Sequence, residues 1–181
     1  MPRVHNFSAG PAALPASVLS EIAAELPDYR DCGMSVLEMS HRSATYRQIF
    51  DETEACLRRV LNIPDTYAVL FLQGGATLEF AAIPLNLMRT GRAGYVVSGH
   101  FSKKAWQEAA KYGDAVLLAS SEDTGFDRIP DLAPVGARCR EEQLDYVHIC
   151  QNNTIFGTMY HELPDTGDIP LVADVSSCFL S

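Results

Sequence analysis

The chain has 181 residues, 47% hydrophobic and 20% charged, the balance of an ordinary soluble globular protein with length for one sizeable core. A formal net charge of −9, with the 14 basic residues scattered rather than clustered, argues against nucleic acid as a partner. No stretch approaches the roughly 20 apolar residues that span a bilayer, the opening MPRVHNFSAGPAALP has no apolar core behind Arg3, and the five cysteines form no C-x-x-C pair, so a cytoplasmic protein with cysteines used for packing is expected.

In chain order, the loop-like NFSAGPAALP precedes a helix over Pro15 to Leu26, with Val18, Leu19, Ile22, Ala23 and Leu26 at helical spacing and Pro15 suited to the first turn. A turn-rich stretch, PDYRDCGMS, follows. Ala44 to Leu61 is predicted as a long amphipathic helix, its apolar face built from Tyr46, Ile49, Phe50, Thr53, Leu57, Val60 and Leu61, with Pro64 just beyond its end. Tyr67 to Leu72 (YAVLFL) has the length and continuous apolarity of a strand buried on both faces of a parallel sheet. The Gln73 to Thr77 segment breaks it, and a helix is expected over Thr77 to Met88. Further strands are predicted at Gly94 to Ser98, Ala115 to Ala119, Tyr146 to Cys150 and Pro170 to Asp174, with a helix over Phe101 to Tyr112. Strands alternating with helices of this length imply an α/β fold: a mostly parallel sheet, right-handed crossovers and helices on both faces.

Ligands bind such sheets beyond the carboxyl ends of the strands, which directs attention to Gln73 to Thr77, Ser98 to Ser102, Gln151 to Thr154 and Asp174 to Ser177. Gly74-Gly75-Ala76-Thr77 opens a helix, where small residues let backbone N–H groups approach an anion such as phosphate. Phe101 puts an aromatic face at the mouth of the sheet, able to stack on a flat ring. Asp174 ends an apolar strand, and a carboxylate there needs a cationic or hydrogen-bonding partner, for which a protonated pyridine nitrogen would serve. Asn152, Asn153 and Thr154 could hydrogen-bond an oxygen on such a ring. Taken singly, each has an ordinary reading: a tight turn, a core phenylalanine, an N-cap aspartate, a polar loop.

Together, five ordered segments resemble the phosphoserine aminotransferase family, within the class V group of fold-type-I pyridoxal-phosphate (PLP) enzymes: NFSAGPAALP, EMSHR at Glu38 to Arg42, LQGGAT at Leu72 to Thr77, QNNTIFGT at Gln151 to Thr158 and ADVSS at Ala173 to Ser177. The resemblance implies that residues 1–15 lie near the active-site entrance and that 16–181 form the N-terminal part of the PLP-binding large domain. It implies that Ala76 and Thr77 hold the cofactor phosphate, Phe101 stacks on its ring where many members have tryptophan, Thr154 bonds the ring oxygen and Asp174 the pyridinium nitrogen. Arg42, with His41 beside it, would pair with an acidic group of substrate, and Ser8, Ala9 and Gly10 would lie near its carboxylate. The implied activity converts 3-phosphohydroxypyruvate and glutamate to phosphoserine and 2-oxoglutarate, in a homodimer, without a metal. Another class V enzyme, such as an alanine–glyoxylate aminotransferase or a cysteine desulfurase, or a non-catalytic platform that only binds PLP, are the alternatives.

The three lysines, Lys103, Lys104 and Lys111, all lie in one predicted helix, and none follows ADVSS. In the family the Schiff-base lysine comes later, so the resemblance implies that the catalytic lysine, the rest of the large domain and the small domain fall outside these 181 residues. The chain alone is then expected to be inactive, and to expose a strand edge and apolar helix faces that favour association.

Overall fold

Between Arg92 and Asp174 four strands line up in parallel, in the order β2-β1-β3-β6: β1 is Arg92–Val97, β2 Asp114–Ser120, β3 Val147–Cys150 and β6 Leu171–Asp174. A two-residue ribbon, β4 (Asn152–Asn153) against β5 (Thr158–Met159), projects from the end of β3. The helices are α1 (Ala16–Glu25), α2 (Ala44–Leu61), α3 (Gly75–Leu87), α4 (His100–Ala109) and α5 (Ala133–Glu141). The computed structural model describes residues 3–8 and 10–180, so Ala9 lies outside the described residues. The chain divides into two compact units, Met1–Phe71 and Leu72–Ser181.

Alternation along the strands builds a core on each side of the sheet in the second unit. Val96, Leu118, Val147 and Ile149 point to one face and pack with Val135 and Cys139 of α5 and with Tyr160. Ala93, Tyr95 and Tyr146 point to the other, against Phe80 of α3 and Ala105 and Ala109 of α4. Helices therefore cover both faces, as the sequence pattern predicts. Tyr95 and Tyr146 bury their hydroxyls but pair them at 2.6 Å, and burial holds both phenols above their ordinary range. At the edge of β2, Trp106 of α4 donates its indole N–H to the Ala115 carbonyl at 2.8 Å.

In the first unit, α2 matches its predicted boundaries. Ser43 caps it, accepting from the Tyr46 N–H at 3.2 Å, and Asn62 ends it in the left-handed conformation at φ 51°. Arg58 fastens the chain that follows, pairing with Glu54 at 2.9 Å and donating to the Tyr67 carbonyl at 3.0 Å.

One predicted strand is corrected. Tyr67 to Leu72 joins no sheet among the described residues, and Tyr67, Leu70 and Leu72 are each about two-thirds exposed or more, at 66%, 72% and 64%. An apolar run becomes a strand only when a neighbour satisfies its N–H and C=O groups, and the described sheet offers this segment none. Phe71 of this segment makes an edge-to-face contact with Phe50, centroids 4.9 Å apart. The cysteine expectation holds only in part: Cys139 and Cys150 are buried, whereas Cys32 and Cys56 are exposed.

Candidate functional site

Three elements bring chemistry to the carboxyl edge of the sheet. The first is the start of α3. Gly74 sits at φ 100° and Gly75 at φ 59°, and a Cβ on Gly74 would lie 2.4 Å from Leu78 Cδ2, so only glycine makes this turn without strain. No side chain caps the helix, and its first backbone bond, from Leu78 N–H to the Gly74 carbonyl, is long at 3.4 Å. The N–H groups of Gly75, Ala76 and Thr77 therefore precede the helical ladder, and no acidic residue occupies the first turn. That is the electrostatics of an anion site. The helix starts two residues before its predicted boundary, after an extended segment rather than a sheet strand. Since α3 ends at Leu87 and β1 begins at Arg92, α3 runs back along the sheet and carries its first turn toward the edge where the strands end.

The second element is the junction of β1 and α4. Ser102 Oγ accepts from the N–H groups of Ser98 and Gly99, both at 2.9 Å, and donates to the Gly99 carbonyl at 3.0 Å, which tightens the strand-to-helix turn. This holds Phe101 in the first turn of α4, 39% exposed, with its ring at the surface. A narrow crevice opens here, lined by Ser98, Gly99, Phe101, Ser102, Cys150, Asn152 and Asn153. Asn153 closes one side by donating to the Ser98 carbonyl at 3.1 Å. A Cβ on Gly99 would stand 2.3 Å from Asn153 Nδ2, and Asn153 is buried and tied down. Gly99→Ala is therefore expected to destabilise the second unit by about 1–3 kcal/mol through overpacking; a thermal melt indistinguishable from wild type would contradict the close approach.

The third element is the end of β3 and β6. Asp174 lies opposite Cys150 in the parallel ladder, with Gln151 N–H donating to the Asp174 carbonyl at 2.8 Å. Its carboxylate is positioned by Ser176, whose N–H and hydroxyl both donate to Oδ1, at 3.0 and 2.5 Å. The Cys150 thiol donates weakly to Oδ2 at 3.5 Å, and burial next to this carboxylate pushes the thiol well above its usual range, so it stays a thiol. Asp174 is half-buried and has no cationic partner among the described ion pairs. A carboxylate with one well-held oxygen and one nearly free, at a strand end, is set to receive a positively charged donor.

Thr154 follows the β4 ribbon in an exposed four-residue turn, closed by Gly157 N–H donating to the Asn153 carbonyl at 2.8 Å. It sits one residue beyond the crevice lining. In the first unit, Ser8 is exposed, its N–H bonded to Asn6 Oδ1 at 2.9 Å. His41 and Arg42 form an exposed turn, with Arg42 N–H donating to Ser40 Oγ at 3.2 Å. A cleft of about 450 Å³ opens beside them, lined by His41, Tyr46, Arg47, Ile49, Phe50, Thr53 and Phe71. Arg47, outside the predicted apolar face of α2, puts a basic side chain on its wall and is not among the residues singled out from the sequence. Cys150 is likewise a site residue that the sequence reading missed. Its place at a strand end is visible in the sequence, whereas its register with Asp174 is not.

Of the lysines, Lys103 pairs with Glu122 and Lys111 with Glu108, while Lys104 Nζ lies 6.0 Å from the centre of the Phe101 ring. No group of His, Cys, Asp and Glu suited to a metal ion occurs among the described residues, and no described helix is long and apolar enough to cross a membrane.

An open parallel sheet with an uncapped glycine-led helix, an aromatic ring and a carboxylate without a cationic partner among the described residues at its carboxyl edge defines an α/β protein whose polar groups gather where such sheets bind ligands. The model of the class-V aminotransferase family matches residues 4–180, and the chain belongs to that family, whose members depend on pyridoxal phosphate. It is a homologue of phosphoserine aminotransferases: it is 54% identical to that of Bacillus thuringiensis subsp. konkukian over 182 residues, all of this chain and 50% of the relative. It is 48% identical to that of Lysinibacillus sphaericus over 99% of this chain and 49% of the relative. Among solved structures, the phosphoserine aminotransferase of Bacillus circulans subsp. alkalophilus superposes with a TM-score of 0.87 at 42% identity, covering 94% of this chain and 47% of that one. The PLP-bound enzyme of Trichomonas vaginalis superposes at 0.78 and 34% identity, over 94% and 47%. The chain thus spans about half the length of the curated relatives it matches.

Proposed function

We propose that this chain forms the pyridoxal-phosphate platform of a phosphoserine aminotransferase, and that the whole protein transfers the amino group of glutamate to 3-phosphohydroxypyruvate, giving phosphoserine and 2-oxoglutarate. The observation that carries the reading is the Asp174 carboxylate at the end of β6, gripped by Ser176 on one oxygen and without a cationic partner among the described residues. The residues present fit the cofactor. The free N–H groups of Ala76 and Thr77, with the Thr77 hydroxyl, receive its phosphate, and the α3 dipole favours that charge. Phe101 covers one face of its ring, Thr154 donates to the ring oxygen, and Asp174 keeps the ring nitrogen protonated. When bound, pyridoxal phosphate supplies an electron sink for the carbanion formed at the substrate carbon. Arg42 and His41 pair with a substrate acid group, and Ser8 and Ala9 contact its carboxylate at the active-site entrance, so that residues 1–15 serve as an entrance segment to the domain formed by 16–181.

A homodimer working in the cytoplasm completes this reading, and the free thiols Cys32, Cys56, Cys139 and Cys150 suit a reducing compartment. The engaged or ring-bound state of Lys103, Lys104 and Lys111 favours reversible, non-covalent binding by these 181 residues themselves.

Phe101 supplies the test. Phe101→Ala removes the stacking face, expected to cost about 1 kcal/mol, roughly a fivefold rise in the Kd for pyridoxal phosphate by cofactor fluorescence. Phe101→Trp should bind at least as tightly as wild type. Equal affinity for all three proteins would mean that Phe101 does not stack on the cofactor ring.

A further inference from the structure

His148 is a buried titratable group of the second unit, at 1% exposed, and nothing in the cofactor reading uses it. Its ring stacks on Tyr95, centroids 5.3 Å apart and 26° between planes, and meets the edge of Phe80 at 6.0 Å. Neither Nδ1 nor Nε2 has a hydrogen-bond partner among the described residues. Burying an imidazole with both nitrogens idle costs on the order of 1–3 kcal/mol, and such a group calls for an explanation. An apolar residue would pack as well between Tyr95 and Phe80.

The register shows what the imidazole neighbours. His148 lies opposite Val172 and Cys150 opposite Asp174, so His148, Cys150, Val172 and Asp174 share one face of the β3–β6 pair. Val172 and Tyr95 belong to the same packed cluster, which fixes that face as the one His148 occupies. Asp174 sits one step diagonally from His148, and Oδ1 is saturated by Ser176 while Oδ2 has only the weak thiol donor of Cys150. The charge of Asp174 is felt at the imidazole, where it works against burial. The other ionisable groups facing His148 are the Tyr95 and Tyr146 phenols, which are paired with each other, and the Cys150 thiol.

Resting on the cofactor reading above, we propose that His148 is the positioning residue of Asp174: its neutral imidazole presents an N–H to Oδ2 through one bound water and fixes the carboxylate for a protonated ring nitrogen. The uncharged state is what suits it to this task. A charged imidazolium would compete with the pyridinium for the same carboxylate, whereas a neutral donor orients the carboxylate and leaves its charge to the ligand. The stack on Tyr95 sets the plane of the ring.

The test uses the 181-residue chain and two readouts. Without ligand, imidazole nitrogen NMR should show His148 as a single neutral tautomer with a slowly exchanging N–H, and Asp174→Asn should shift that N–H and speed its exchange. With pyridoxal phosphate labelled at the ring nitrogen, that nitrogen should titrate about one pH unit lower in His148→Phe than in wild type, and His148→Gln, which keeps a donor, should recover most of the shift. Imidazole signals that ignore Asp174→Asn, or ring-nitrogen titrations identical in wild type and His148→Phe, would overturn the proposal while leaving the cofactor reading intact. If wild type bound no pyridoxal phosphate, the cofactor reading would fail and the ligand-free arm would still decide whether His148 serves Asp174. The same arm decides if His148→Phe does not fold.

Discussion

Replacing Asp174 with asparagine is expected to weaken pyridoxal-phosphate binding by roughly 30-fold, about 2 kcal/mol, the worth of a charge-assisted hydrogen bond. The substitution is nearly isosteric. The backbone of β6 keeps its bond to Gln151, and the side-chain oxygen can still accept from the Ser176 N–H, so the strand end should hold its shape. What disappears is the negative charge that opposes the pyridinium, and an amide N–H₂ then faces a group that is itself a donor. The lost interaction bears on the protonated ring specifically, so the affinity gap between wild type and variant should narrow as pH rises and the free cofactor loses its ring proton. A Kd for Asp174→Asn equal to that of wild type at neutral pH would mean that the carboxylate serves the turn at Ser176 and not a ligand.

The second large effect is on stability. Burial pushes His148 down from the ordinary 6.5 to about 4, Asp174 offsetting only part of the shift. The unfolded chain therefore binds a proton between those two values that the folded chain refuses, so stability is fully present above pH 6.5 and is lost as pH falls toward 4. A shift of this size corresponds to about 3 kcal/mol. The thermal midpoint of the second unit should then drop by roughly 10 °C or more across that window. The exposed carboxylates whose pKa is held low by partners, Glu52 with Gln48 and Arg30 and Glu108 with Lys111, lose their contribution only below the ordinary 4.5, a later and separable step. His148→Phe should flatten the profile between pH 6.5 and 4 and leave the acid limb unchanged. A wild-type profile already flat through that interval would place a charged or solvated imidazole at this position.

Much of the fold could be read from local pattern. Helix α2 declares itself through its apolar spacing and through Pro64 just beyond its end. The strands at Tyr95, Leu117, Ile149 and Val172 stand out as short apolar runs. What local pattern cannot supply is the neighbour. YAVLFL has the composition of a buried strand, yet a strand exists only when another lies beside it, and that information is non-local. Helix α5 went unread for the opposite reason: Val135, Gly136 and Cys139 are buried, but arginines, glutamates and a proline surround them and blur the period. At the candidate site, the rule that ligands gather at strand ends pointed to the segments that hold Phe101, Thr154 and Asp174, and the family resemblance was needed to choose those residues within them. That rule was silent about His148 and Cys150, because their relation to Asp174 depends on the register of β3 against β6. The polar histidine inside YVHIC was the one visible hint. In the first unit, Arg47 lines the cleft although it lies outside the apolar face by which α2 is recognised.

The central claim, that these 181 residues carry a cofactor platform, is tested most directly by titrating the chain with pyridoxal phosphate and following cofactor absorbance and fluorescence. Saturable one-to-one binding is expected, which inorganic phosphate competes away, which Asp174→Asn weakens, and which borohydride does not fix covalently to Lys103, Lys104 or Lys111. Absence of saturable binding, or binding indifferent to Asp174 and located by borohydride trapping and peptide mapping at a surface lysine, would contradict it.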